Sequence, residues 1–255
     1  MVATAQRRQE IVKSIRHSGS AFVEELSDLY KVSLVTIRND LNLIESEFQE
    51  IQRCHGGAIL KENFTNEITI KQKKVINRDI KKALAESALQ LISDGEAIIL
   101  DGGSTIEYLA KELKKRSNVV TLTNSINIAY ELSKNPTGEV IILGGHLNKA
   151  SGAISTSQPQ THIQNYRFNK LFLGADGLDL HFGVTTNIEN EARVNREMCQ
   201  VSNEIIVVAD SSKLNKKSYC SICNINDIDI LITDSGINSE FKKSVMSLGV
   251  KVIVV

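Results

Sequence analysis

The feature that most constrains the fold is the alternation of short apolar runs with helical patterns from residue 83 to residue 255. The apolar runs are rich in Val and Ile and are bounded by turn-forming residues, as is typical of buried strands. Strands that alternate with helices indicate a mainly parallel sheet with helices on both faces, so the sequence predicts an α/β domain here. The helical patterns lie at 105–116, 126–134, 189–201 and 239–248. The predicted strands are EAIIL (96–100), VVTLT (119–123), EVIILG (139–144), KLFLGA (170–175), EIIVVA (204–209), DILIT (229–233) and VKVIVV (250–255).

Small, polar or acidic residues stand where the chain leaves six of these strands. Ligands of parallel sheets bind at the carboxyl ends of the strands, where the strand order reverses. Gly, Asp, Asn and Ser also make ordinary turns, so any single strand end is either a turn or a ligand contact. Six such ends together, one of them with a Lys, favour a polar small-molecule site. They are DGGST (101–105), TNS (123–125), GGH (144–146), GADG (174–177), ADSSK (209–213) and TDSG (233–236).

DGGST (101–105) carries the most specific chemistry of the six strand ends. Its two glycines let the backbone approach a ligand closely, and its Ser and Thr add hydroxyl donors. The segment also opens a predicted helix, and a helix N-terminus favours an anion. We interpret it as a phosphate or sulfate site with Lys213 as the cationic partner. Because a carboxylate repels a phosphate, we expect Asp176 rather than Asp101 to contact the ligand.

The first 57 residues have a different pattern, with short helices followed by a hairpin. Ile11, Val12 and Ile15 share one side of a first helix, and a second helix at 23–30 directs Leu26, Leu29 and Tyr30 inward. VSLVTIRNDLNLIE (32–45) is a third helix, capped by its Ser, with Ile37, Leu41 and Ile44 on the buried face. Two helices joined by so short a turn predict a helix-turn-helix, whose second helix enters the major groove of DNA.

The open side of the third helix carries Val35, Arg38 and Asn39. An apolar side chain can touch a thymine methyl group, Arg can pair with guanine and Asn can pair with adenine. A solvated surface is the alternative interpretation of these residues. FQEIQRCHGGAIL (48–60) follows and predicts a small β-hairpin, or wing, with Arg53 and His55 near the phosphate backbone.

Charge gives little support by itself for a nucleic-acid partner. The chain of 255 residues has 30 basic and 30 acidic residues, and residues 1–57 hold seven Lys or Arg against eight Asp or Glu. A DNA-binding unit of this composition must concentrate its cations on one side. The predicted set is Arg7, Arg8, Arg38 and Arg53.

Several classes of protein do not fit the sequence. No apolar run approaches the length of a membrane-spanning helix, and the first residues lack the apolar core of a signal peptide. We therefore expect a cytoplasmic protein with no membrane partner. Four Cys do not form a disulfide framework in a chain of this size. Cys220 and Cys223 have metal-site spacing, but no second pair accompanies them, so no metal and no cofactor is predicted.

The run RRQEIVKSIRHSGSAFVEELSDLYKVSLVTIRNDL, with CHGGA after it, resembles the N-terminal winged helix of the DeoR family of bacterial transcriptional repressors. Val35 and Asn39 resemble the branch concerned with amino sugars and sugar alcohols. The residues that match the family pattern are Val32, Ser33, Thr36, Ile37, Arg38, Asp40 and Leu41. The predicted DNA-binding residues are Ser33, Val35, Thr36, Arg38, Asn39, Arg53 and His55.

The second half of the chain is similar to the effector domain of the same family in GADG, GVTT, ENEARVNREM and VVADSSK. That domain in turn resembles ribose-5-phosphate isomerase, which implies a ligand the size of a phosphosugar. The predicted domains are a winged helix-turn-helix at 1–60, a linker at 61–82 and a sensor at 83–255. The predicted effector-binding residues are Gly102, Gly103, Ser104, Thr105, Asn124, Asp176, Thr186 and Lys213.

Together these features predict a sequence-specific regulator that binds double-stranded operator DNA. We expect it to repress a sugar-utilisation operon, to be released by a phosphorylated sugar or sugar alcohol, and to act as a homodimer or homotetramer. The alternative is an isomerase-like enzyme with an added DNA-binding domain. Proton abstraction beside a carbonyl needs a positioned base, and Glu191 and Glu197 are the candidates. The isomerase pocket also needs a run of glycines ahead of that helix, and the sequence has none, so we expect no enzymatic activity.

Overall fold

The structure is a computed structural model that describes residues 4–18, 20–54, 57–60, 69–156, 163–218 and 220–255. The chain divides into two compact units between Asp79 and Ile80. Residues 69–82 of the predicted linker include one short helix and the start of another.

The N-terminal unit combines helices with a small antiparallel sheet. The β2–β3 hairpin agrees with the predicted wing, and β1 adds a strand that was not predicted, in the order β1-β3-β2. A further helix, α4, packs on β1 and β3 and also was not predicted. The elements are α1 (Thr4–Ser18), β1 (Ser20–Phe22), α2 (Val23–Tyr30), α3 (Leu34–Glu47), β2 (Ile51–Cys54), β3 (Gly57–Leu60) and α4 (Ile70–Val75).

Helix α3 begins where the sequence predicts, because the Ser33 hydroxyl accepts a hydrogen bond from the Thr36 N–H at 3.1 Å. Its predicted apolar face is fully buried in the core of the unit. The prediction was wrong for Leu29 in α2, which is 69% exposed. The buried stripe of α2 runs through Val23 and Leu26 at helical spacing, and Leu29 lies off that stripe.

The C-terminal unit is built on a seven-stranded sheet in which every pairing is parallel. All seven predicted strands are present. They are β4 (Ala97–Leu100), β5 (Val120–Thr123), β6 (Glu139–Ile142), β9 (Phe168–Leu173), β12 (Ser202–Val208), β14 (Ile230–Thr233) and β15 (Lys251–Val254). Helix α5 (Arg78–Leu89) precedes the first of these strands. The helices between the strands are α6 (Ser104–Glu112), α7 (Ile126–Leu132), α8 (Glu189–Gln200) and α9 (Ser239–Ser247).

Two apolar cores cover the two faces of this sheet. Ile98 and Leu100 belong to one core and Ile99 to the other, because successive side chains of a strand point to opposite faces. One core includes α5, α6 and α7, and the other includes α8 and α9. The sheet is therefore buried on both sides, which explains why its strands have continuous apolar runs.

Short strands outside the main sheet escaped sequence prediction. They are β7 (His146–Leu147), β8 (Ile154–Ser155), β10 (Gly177–Asp179), β11 (Gly183–Thr186) and β13 (Cys220–Cys223). A second, antiparallel sheet has the order β10-β11-β13, and β7 pairs with β8. These strands have two to four residues, and they lack the continuous apolar runs that mark the equally short strands of the main sheet.

The strand order of the main sheet is β15-β14-β12-β9-β4-β5-β6. From β4 the chain moves outward through β5 to β6, and it then returns to β9 on the other side of β4. The order therefore reverses between β4 and β9, and the carboxyl ends of these two strands flank a topological switch point. DGGST follows β4 and GADG follows β9, so two of the predicted ligand segments are neighbours. Within the ranges described above, no helix is long and apolar enough to cross a membrane.

Candidate functional sites

The first two turns of α3 present the predicted base-reading residues on one open surface. Val35, Arg38 and Asn39 are all exposed, on the side opposite the buried apolar face. Ser33 and Thr36 lie at the start of the same helix, where their hydroxyls are 2.9 Å apart. The structure therefore brings five of the seven predicted DNA-binding residues together at the N-terminal end of one helix.

Arg7 and Arg8 were predicted to lie on the same side as Arg38, but both are engaged elsewhere. Both guanidinium groups donate to the Asp40 carboxylate, Arg7 Nε to Oδ2 at 2.7 Å and Arg8 Nε to Oδ1 at 2.8 Å. Arg7 is only 5% exposed and Asp40 is buried with it. The prediction for Arg7 was wrong, because a carboxylate on the inner side of α3 binds both cations and ties α1 to the recognition helix.

Arg53 connects the wing to α3. Its Nε donates to Asn42 Oδ1 at 3.1 Å, its Nη1 donates to the Gly57 carbonyl at 3.0 Å, and its backbone N–H donates to Glu45 Oε1 at 2.7 Å. Asn42 and Glu45 are on the open side of α3, so part of that polar surface fixes the hairpin in place. His55, the other predicted wing residue, lies outside the described residues.

In the C-terminal unit, hydrogen bonds tie three strand ends together at the switch point. The Gly174 N–H, after β9, donates to Asp101 Oδ2, after β4, at 3.1 Å. The Gly102 N–H donates to Asn124 Oδ1, after β5, at 2.9 Å. Asp101 and Asn124 are buried. These polar side chains hold the ends of β9, β4 and β5 in one arrangement.

The N-terminus of α6 opens at this same place. Gly103 is the N-cap residue with a φ of 137°, and no side chain caps the helix there. Among the described residues, and apart from its two chain neighbours, nothing lies within 4 Å of the position that a Cβ on Gly103 would occupy. Ser104 is buried and Thr105 half-buried in the first turn. The first N–H groups of a helix have no partner within the helix, so this end can donate to an anion.

Asp176 and Thr186 are also brought together. Thr186 Oγ1 donates to Asp176 Oδ2 at 3.3 Å, and the same oxygen accepts from the backbone N–H and the side-chain Nδ2 of Asn187 at 3.3 and 3.4 Å. Asn187 was not among the predicted site residues, although it follows the GVTT segment directly. Lys213 ends a 3₁₀ turn after β12, the strand that pairs with β9. All eight predicted effector residues thus follow or flank the carboxyl ends of β12, β9, β4, β5 and β11.

Burial, and after it the nearby Glu191 carboxylate, raises the pKa of Asp101 from 3.8 to about 8, even though hydrogen bonds from the N–H groups of Gly174 and Gly102 lower it. The carboxyl is therefore mostly protonated at neutral pH. A neutral Asp101 does not repel an anion, so a phosphate at the N-terminus of α6 is compatible with this residue beside it.

Asp101→Asn tests this protonation. In the wild type the folded state retains a proton that the unfolded state loses near the ordinary pKa of 3.8. The free energy of unfolding should therefore fall as pH rises from about 4 to about 8, by up to about 1.4 kcal/mol per pH unit. Urea denaturation at several pH values between these limits should show a shallower decline in the variant. Equal slopes in the two proteins would contradict a protonated Asp101.

The isomerase candidates occupy different environments. Glu191 accepts a hydrogen bond from Ser151 Oγ at 2.7 Å, and Glu197 is buried with Oε2 unbonded among the described residues. Across all the described residues, no group of three or more His, Cys, Asp or Glu side chains is placed to hold a metal ion.

Family comparisons identify both units. Residues 7–64 match the DeoR-like helix-turn-helix domain, and residues 76–235 match the DeoR C-terminal sensor domain. The chain belongs to the DeoR family. DeoR-family proteins are transcriptional regulators, so the predicted regulator is confirmed and the isomerase alternative is set aside.

Relatives in this family align over nearly their whole length. A putative aga operon transcriptional repressor from Escherichia coli O157:H7 is 39% identical, covering 100% of this chain and 95% of the relative. The regulator GlpR from Haloferax volcanii is 33% identical, covering 98% and 97%. The repressor GlcR from Bacillus subtilis is 32% identical, covering 98% and 95%. Among solved structures, ribose 5-phosphate isomerase A from Methanocaldococcus jannaschii is 22% identical with a TM-score of 0.41, covering 54% of this chain and 55% of that one.

Proposed function

We propose that this DeoR-family protein represses a sugar-utilisation operon and is released from its operator by a phosphorylated sugar or sugar alcohol. The observation that carries the proposal is the meeting of DGGST and GADG at the β4–β9 switch point. Several relatives are named as repressors, which supports repression over activation.

The DNA-binding part of the proposal rests on α3. Arg38 and Asn39 follow the Ser33 cap within the first two turns, the part of a recognition helix that meets base edges. Their guanidinium and carboxamide groups can each make two hydrogen bonds to a base, and the exposed Val35 can contact a thymine methyl group. The Arg53 bridge sets the position of the wing relative to this helix.

Arg38→Ala and Asn39→Ala should each weaken operator binding by about 1–3 kcal/mol if the residue pairs with a base through two hydrogen bonds. Both side chains are exposed, so the variants should stay folded. A gel-shift titration with operator DNA measures the effect. Ser46→Ala is the matched control, since Ser46 is exposed on the last turn of the same helix. Unchanged affinity in both test variants would exclude α3 as the reading helix.

The effector part of the proposal rests on complementary chemistry at the switch point. The uncapped N-terminus of α6, two hydroxyl groups and the ammonium group of Lys213 suit a phosphate. The Asp176 carboxylate and the Asn124 carboxamide suit sugar hydroxyl groups. Protonation of Asp101 lowers the negative charge of the site. A phosphorylated sugar offers a partner to both groups of residues.

We further propose that the regulator is a homodimer or homotetramer, because twofold operators mirror twofold proteins and one winged helix covers few base pairs. We also propose that effector and operator favour different conformations of the protein, so that each ligand weakens the binding of the other. Such coupling is reciprocal, so operator DNA should weaken effector binding by the factor by which effector weakens operator binding.

A thermal-unfolding screen of sugar phosphates, each paired with its unphosphorylated sugar, tests the effector class. A ligand that binds only the folded state raises the unfolding temperature in proportion to its affinity and concentration. We expect stabilisation by one or a few phosphorylated members and not by their free counterparts. Stabilisation by a free sugar as large as that by its phosphate would contradict a phosphate site.

A further inference from the structure

The C-terminal unit exposes apolar side chains along one margin of its parallel sheet. β6 is the outermost strand on that side. Val140 and Ile142 of β6, and Ile126 and Tyr130 of α7, are between 37% and 69% exposed. We call these four residues the β6 edge. Exposed apolar side chains that gather at one place on a surface can mark a protein–protein contact.

The two β6 side chains lie on the face of the sheet that α7 covers. Ile141 packs into the core on the α8 side, so its neighbours Val140 and Ile142 point to the opposite face. Helix α7 packs against β6 on that face. The β6 edge therefore combines strand and helix on the same face.

One stripe of α7 is exposed on the side away from the core. Ile128 and Leu132 bury one side of the helix in the core. Ile126 and Tyr130 are four residues apart, so they lie on the same stripe of α7, and both are exposed.

The backbone of β6 is also open on this side. The N–H groups of Glu139 and Leu143 donate to carbonyls of the β5 strand region at 3.2 and 3.0 Å. Backbone groups alternate in direction along a strand, so those of Val140 and Ile142 point away from β5. Edge strands that stay single are usually protected by short length, a charged side chain, a Pro or a bulge. EVII is short and begins with Glu139, but Val140 and Ile142, whose backbone groups point outward, are apolar, and the strand has no Lys, Pro or bulge.

We propose that β6 pairs antiparallel with β6 of a second copy of this chain, about a twofold axis at Ile141. Val140 then exchanges hydrogen bonds with Ile142 of the second copy, and Ile142 with Val140 of the second copy. This interface extends the proposed homodimer and rests on it. A twofold contact uses the same surface on both copies. The outward backbone N–H and C=O groups of Val140 and Ile142 meet this condition, because each copy offers the same donors and acceptors to the other.

The exposed area suits a contact of modest size. The four side chains expose about 350 Å² together, so two copies contribute about 700 Å² before the backbone of the paired strands is added. The total approaches the roughly 1,000 Å² that a specific interface needs. An axis perpendicular to the sheet also places both α7 helices on the same face of the joined sheet.

The combined variant Val140→Lys with Ile142→Lys should dissociate the assembly, because two like charges on each copy would meet across the junction. Light scattering of the full chain should give at least a dimer for the wild type and half the assembly mass for the variant. Met246→Lys is the control, since Met246 is 52% exposed on α9, away from the β6 edge. Circular dichroism confirms that both variants are folded.

A cysteine at the axis gives a second, independent measurement. In the proposed register, Ile141 faces its own copy as a non-hydrogen-bonded pair with Cα atoms about 4.5 Å apart. Ile141→Cys should then form an interchain disulfide on mild oxidation, as this separation lies within disulfide range. Val140→Cys should not, because the two copies of residue 140 are offset by two positions. The wild type, with its own four Cys, gives the background.

The outcomes separate this interface from the proposed function. A monomeric wild type would overturn the proposed assembly together with the interface. An oligomeric wild type whose mass survives both lysines, and which shows no cross-link at residue 141, would overturn the interface alone. A cross-link specific to residue 141 supports the register even if the lysine variant fails to fold. DNA reading by α3 is tested separately.

Discussion

Alanine at both Ser104 and Thr105 is expected to abolish release of the regulator by its effector while leaving operator affinity unchanged. Both hydroxyls stand in the first turn of α6, beside the open space at Gly103. A hydrogen bond to a charged group contributes about 1.5–3 kcal/mol, so losing two of them should weaken effector binding by well over tenfold. Gel shifts with operator DNA and increasing effector measure the loss. In a cell the variant would repress permanently.

Lys213→Ala provides the companion variant, because it removes the positive charge and leaves the hydroxyls in place. It should also raise the effector concentration needed for release. Lys111→Ala is the matched control: it removes one Lys from the last turn of α6, where the ammonium group lies 5.2 Å from the Tyr108 ring centre. If calorimetry showed the free sugar binding as tightly as its phosphate in the wild type, DGGST would be an ordinary strand-to-helix turn.

Asp40→Ala should destabilise the N-terminal unit by about 3–5 kcal/mol, because breaking a buried ion pair leaves an uncompensated charge. Here one carboxylate accepts from two guanidinium groups, and the Arg7 group is buried. That loss is a large part of the stability of a typical domain. Urea denaturation followed by circular dichroism should show an earlier transition that belongs to this unit.

Glu50→Ala is the control for Asp40→Ala. Glu50 also binds an arginine, Arg16, but that pair is exposed and should contribute little to stability. Similar midpoints for the two variants would mean that the Asp40 contacts add no more than a surface pair. Operator binding should be lost with folding in Asp40→Ala and kept in Glu50→Ala.

The main sheet was predictable because burial on both faces produces continuous apolar runs, and α3 because its Ser cap and apolar spacing coincide. The sheet β10-β11-β13 was not, since GLD, GVTT and CSIC are short and contain no continuous apolar run. Leu29 was predicted to be buried because a Leu in an amphipathic helix usually faces the core. It is exposed because it lies off the stripe that Val23 and Leu26 form.

The residue types of the effector site were predictable, but their arrangement was not. The glycines and hydroxyl side chains of a strand end such as DGGST can be read directly from the sequence. The strand order that sets it beside GADG depends on pairings between distant segments. The Arg7–Asp40 contact spans 33 residues for the same reason. A sequence shows two arginines and an aspartate, and only the packing of α1 on α3 shows that they neutralise one another.

That packing has a consequence for how the protein finds its operator. Attraction to DNA of any sequence comes mainly from exposed cations that displace counterions from the phosphates. Arg7 is enclosed and Arg8 shares its carboxylate, so these two contribute little to such attraction. These two arginines should therefore add little to binding at sequences other than the operator. In the proposed oligomer, discrimination should come from base contacts and from occupying two half-sites at once.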